Sequence, residues 1–115
     1  MDRREAIIKM NANRDKHATI TVVYVRPDGS RLSVPATPGK TVFRYTDQRN
    51  QSVVEETRDY LVTAELLSFE PERGDTIVEA GLVYQVAAPN QEPLWRWHDS
   101  FRICRRIHAK LIGEA

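Results

Sequence analysis

Four side chains in this sequence are of the types that hold a transition metal: His17, His98, His108 and the single cysteine, Cys104. Cys104 and His108 are four positions apart. In a helix that spacing shares one face, but in a strand it separates them by roughly 13 Å, too far to share an ion. No recognisable motif supplies a third and fourth ligand, so no metal is expected. A nucleophile would need a histidine and an orienting carboxylate beside it. No nucleophile-elbow signature surrounds Cys104 or any serine, and Cys104 reads as a small, partly buried apolar residue. Glu55 and Glu56 are adjacent, and neighbours point in different directions in strand and helix alike, so they form no acid–base pair. Gly29, Gly39, Gly74, Gly81 and Gly113 stand singly, which is turn usage and not a phosphate-binding loop. These residues predict a protein without catalytic residues, metal or cofactor.

Binding chemistry is better represented. Trp95 and Trp97 lie two apart, on one face if the chain is extended, with Arg96 between them and Arg102, Arg105 and Arg106 following. Aromatic platforms interleaved with arginines suit the bases of a single-stranded nucleic acid. Tryptophan is equally at home covering a barrel opening or forming a subunit contact. Trp95, Arg96, Trp97, Arg102 and Arg106 are therefore candidate interface residues, and a small β-barrel binding single-stranded nucleic acid is the alternative function.

The near-neutral formal charge of +1 weakens that alternative and hides a segregation. Glu55, Glu56, Asp59, Glu65, Glu70, Glu72, Asp75 and Glu79 crowd the middle of the chain against Arg58 and Arg73. Arg96, Arg102, Arg105, Arg106 and Lys110 then dominate the end against Asp99. Opposite faces of this kind suit head-to-tail packing of like subunits, and they equally describe two solvated surfaces. One cysteine excludes an internal disulfide and fits a reducing compartment. No apolar run approaches the roughly 18 residues of a membrane span, and MDRREAIIKMNANRD has no signal-peptide core, so a soluble, unexported protein is expected.

A chain of 115 residues with 41% hydrophobic and 29% charged residues supports one compact domain. Residues 1–16 are polar apart from Ala6, Ile7, Ile8 and Met10, and predict an arm or short helix that orders on a partner. Residues 17–115 are expected to form a single β-barrel-like domain. Its first hairpin runs from the β-branched and aromatic residues 19–25 through Pro27-Asp28-Gly29-Ser30 to residues 31–34. Pro35, Pro38 and Gly39 are expected to interrupt pairing before KTVFRY. Residues 46–52 (TDQRNQS) are polar throughout, a surface loop of the kind that carries contacts. VVEETRDYLV fits a helix stripe or a strand leading into a helical turn, with the strand favoured. Residues 76–79 and 82–86 read as strands reversing over Ala80-Gly81. FRICRRIHAKLI segregates apolar from basic residues as strand or as helix, and the neighbouring hairpins favour the strand.

The segments FEPERGDTIVEAGLVYQV, PLWRW and RICRRIHAK together resemble the small head-tail joining proteins of tailed bacteriophages, the head-completion or stopper family. The resemblance spans roughly residues 57–110 and rests on Arg73-Gly74-Asp75, the hairpin over Gly81 and the return strand Tyr84-Gln85-Val86. It implies an all-β fold, a small β-barrel or sandwich with a long polar loop, whose copies form a ring at the phage neck. The implied partners are a portal or adaptor protein and tail proteins, with possible contact to packaged DNA, and no membrane. The implied task is mechanical: joining the DNA-filled head to the tail and retaining the DNA, in the virion after assembly in the host cytoplasm. Asp47, Gln48, Arg49, Asn50 and Gln51 then become the loop facing the lumen or a partner. Residues 1–16 lie outside the resemblance.

Overall fold

The computed structural model describes residues 19–115, so the expected arm at residues 1–16, and His17, lie outside the described residues. Among the described residues, seven antiparallel strands form one sheet: β1 (Ile20–Val25), β2 (Arg31–Thr46), β3 (Ser52–Thr63), β4 (Thr76–Glu79), β5 (Leu82–Val86), β6 (Trp95–Trp97) and β7 (Cys104–Glu114). Their order is β3-β2-β1-β4-β5-β7-β6, and β3 also pairs with β7, so the sheet curls into a ring-like arrangement. The fold is all-β, as the strand patterning and the resemblance both imply. A 3-10 turn, Ala64–Leu66, follows β3, which resolves VVEETRDYLV as a strand entering a helical turn.

Turn chemistry explains the hairpins. Gly29 has φ of 90° where β1 turns into β2, a conformation glycine takes without the Cβ clash other residues meet. Ala80 and Gly81 both have positive φ, as a two-residue primed turn requires, and β4 pairs with β5 directly across them, Glu79 opposite Leu82.

One expectation is overturned. Pro35, Pro38 and Gly39 do not interrupt pairing: β2 runs unbroken through all three, with Pro35 opposite Thr21 and Pro38 opposite Tyr60. The reason is a change of partner. Residues 31–36 pair with β1 and residues 37–46 with β3, so each half of β2 has one neighbour and a proline can turn its missing donor to the unpaired edge.

Inside the ring Val22, Tyr24, Val34, Ala36, Tyr60, Val62, Leu67, Ile77, Val86, Ile107 and Ala109 are almost wholly buried. Each large apolar side chain so buried contributes about 1.5–3 kcal/mol. Tyr60 and Tyr84 meet edge to face, and the Tyr60 hydroxyl donates to Glu79 Oε1 at 2.6 Å. Tyr24 is buried with its hydroxyl donating to Asp75, and burial followed by that bond pushes its pKa far up.

The ring accounts for only part of β2 and β3. β3 pairs with β7 from Arg58 opposite Ala109 to Thr63 opposite Cys104. Before Arg58 the two separate: β7 continues along β5, and β3 continues along β2. Residues 40–57 therefore form a two-stranded ribbon that leaves the ring.

Candidate functional site

Strand alternation places Tyr60 and Ile107 toward the core, so their neighbours Asp59 and His108, themselves opposite one another, point to the other side of the sheet. Asp59 is nevertheless fully buried. Its Oδ1 accepts from Thr57 Oγ1 at 2.8 Å and lies 2.9 Å from His108 Nδ1. Its Oδ2 accepts from Arg106 Nη1 at 2.7 Å and from the Thr41 hydroxyl. Burial on its own would raise the Asp59 pKa, but the bonds from His108, Thr41, Arg106 and Thr57 together outweigh it and hold the carboxyl well below the usual carboxylate range. Phe43 closes the cluster by meeting the His108 ring edge-on at 5.1 Å. β2, β3 and β7 are thereby fastened together where the ribbon leaves the ring.

Thr57 Oγ1 and Asp59 Oδ1 both address the same histidine nitrogen, Nδ1, whereas a nucleophile relay needs the imidazole to bridge its two partners. Among the described residues no group of three histidine, cysteine or acidic side chains is placed to hold a metal ion. Cys104 is buried, and His98 is exposed.

At the far end of the ribbon, Asp47, Gln48, Arg49, Asn50 and Gln51 make the connection between β2 and β3. The Asp47 carboxylate accepts from the Arg49 and Gln51 amides, each at 2.9 Å, and Asn50 takes a φ of 61°. This is an Asx-type turn, in which a short side chain stands in for a backbone acceptor. Gln48, Arg49, Asn50 and Gln51 are exposed. The loop therefore presents polar side chains on an organised tip.

The candidate interface residues separate. Trp95 and Trp97 share a face, as extended geometry requires, with rings perpendicular and 5.0 Å apart. Arg105 covers both at 4.8 and 5.1 Å and donates from Nη1 to the carbonyls of Leu67 and Phe69. Arg96, between the tryptophans, points the other way and is exposed. Arg102 is exposed on the turn before β7, with φ of 59°. Arg106 is committed to Asp59. The aromatic faces and the exposed arginine thus lie on opposite sides of β6, whereas a single-strand track needs both on one side.

The charge segregation is reduced by the fold. Asp59 and Asp75 are fully buried, and Glu79 takes a bidentate bond from Arg58 Nη2 at 2.7 Å. Arg105 and Arg106 turn into the protein. The basic C-terminal face expected from the sequence is therefore smaller than its composition implies. Asp59, Thr41 and Thr57 were not singled out by sequence reasoning. The available signal was a threonine and an aspartate at alternate positions of a strand, opposite a strand with arginine and histidine at the same alternation.

A family model described as phage head-tail joining protein matches residues 3–115. No curated protein matches the chain.

Proposed function

The chain belongs to the phage head-tail joining protein family, and from that premise we propose that it is a noncatalytic component of a phage neck. It joins the DNA-filled head, through a portal or adaptor protein, to the tail, and helps to retain packaged DNA. The observation that supports this reading is the ribbon. A long hairpin leaves a closed ring, is fastened at its root by the buried Asp59 cluster, and ends in the polar tip Asp47 to Gln51. Such an element delivers side chains to a partner at a fixed place while the ring keeps the fold.

In this role copies of the chain form a ring in the assembled neck, and residues 47–51 face its lumen or the adjoining layer. Arg96 and Arg102, both exposed, serve as a second contact surface, while Trp95, Trp97 and Arg106 support it from within. The protein acts in the virion and assembles in the host cytoplasm. The test is electron microscopy of particles made by the source phage with this gene inactivated. Full or leaking heads beside free, complete tails are expected, and normal tailed particles would remove the assignment.

A further inference from the structure

A two-stranded ribbon is at best marginally stable alone in water. Residues 40–46 of β2 and 52–57 of β3 pair with each other, and no third described strand lies on either outer edge. One surface of this ribbon carries Val42 and Val54, which are 43% and 58% exposed. Free edges carrying β-branched side chains are templates for another strand.

The two edges differ in charge. β2 carries Lys40 and Arg44 on the Val42 surface, and β3 carries Glu56 there, with Glu55 on the reverse surface bonded to the Tyr45 hydroxyl at 2.6 Å. Within one chain Lys40 and Glu56 come only to 4.0 Å, and both side chains are mostly exposed. We infer that the occupant is a second copy of this chain, its β2 edge lying antiparallel along the β3 edge of its neighbour. The inference rests on the ring-forming role proposed above and names the contact that makes the ring.

One register satisfies both kinds of side chain. With Val54 opposite Val42 of the next copy, Glu56 falls opposite its Lys40, so an apolar pair and an opposite-charge pair form side by side. Where β3 parts from β7, a cleft of about 310 Å³ lined by Glu55, Glu56, Thr57, Lys110 and residues 87–89 borders this edge, so the start of the edge is open. Because two different edges meet, the contact is head to tail, and repetition closes a ring if the rotation closes.

The test uses the full chain in two versions, Val42→Cys and Val54→Cys, oxidised separately and as an equimolar mixture. A disulfide-linked dimer is expected in the mixture and in neither version alone. Adding Glu56→Lys to the Val54→Cys chain lowers the yield about fivefold, as reversal of one exposed pair should, and adding Lys40→Glu to the other chain restores it. Dimers that form equally in the single versions, or a yield indifferent to the charge changes, overturn the inference. Sedimentation of the unmutated chain separates the two failures. Mass rising with concentration but no mixed dimer means that copies meet through another face. Constant mass and no mixed dimer overturn the inference and leave the neck assignment, whose ring forms in the assembled particle, to the microscopy described above.

Discussion

At its root the β2–β3 hairpin is fastened by a buried carboxylate that binds Thr41, Thr57, Arg106 and His108, drawn from three strands. At its tip a single carboxylate, Asp47, shapes a turn whose next four side chains lie in solvent. The root is rich in partners that a substitution would orphan, and the tip is poor in them. One hairpin can therefore be rigid where it is held and chemically free at its tip. The side chains that fix the fold and those proposed above to meet a partner are separated along the same two strands.

The sharpest way to break this contrast is Asp59→Ala. It leaves Arg106 without its buried counter-charge and His108 without its 2.9 Å carboxylate partner, and removal of one partner of such a pair costs about 3–5 kcal/mol. Urea unfolding should show that loss; a change below about 1 kcal/mol would make the root no stronger than an exposed ion pair. Acid provides the same test without mutation. A folded-state pKa held below the unfolded value of about 3.9 gives stabilisation that is complete above that value and lost as pH falls through the folded one. The stability of the unmutated protein should therefore drop below about pH 4, and Asp59→Asn should flatten that part of the profile.

Smaller effects sharpen the comparison elsewhere. Arg105→Met removes the donor to the Leu67 and Phe69 carbonyls, which should cost about 1–3 kcal/mol. Neither Trp95→Ala nor Trp97→Ala should change the affinity for a labelled single-stranded oligonucleotide, and a marked loss with the fold retained would revive the nucleic-acid reading. At the tip, Gln48→Ala and Arg49→Ala should stay within about 0.5 kcal/mol of the unmutated protein in thermal unfolding. A larger shift would mean that the tip also helps to hold the fold.

Much of the fold was legible because short-range chemistry wrote it. Pro27-Asp28-Gly29 and Ala80-Gly81 mark their turns, and the β-branched and aromatic run at residues 19–25 marks its strand. Pro35 and Pro38 misled, because their effect depends on which edge of β2 is paired, and that is set by β1 and β3. The root cluster was harder to read for the same reason. Asp59 meets Arg106 and His108 across 47 and 49 positions of sequence, and in a list of charges each resembles a solvated residue. Residues 47–51 were recognised as a loop from their polarity, but the capping by Asp47 that organises them needed coordinates. Trp95 and Trp97 were rightly placed on one face, whereas the inward turn of Arg105 depends on carbonyls nearly forty positions away.

The most direct measurement replaces residues 47–51 by Asn-Gly in the phage itself. A two-residue primed turn closes the hairpin after Thr46 and before Ser52 and leaves the root untouched. Electron microscopy should then show heads that leak DNA or stand apart from complete tails, while the purified variant unfolds at the temperature of the unmutated chain. Normal, DNA-filled, tailed particles from that variant would contradict the claim that the tip of this hairpin does the work of the neck.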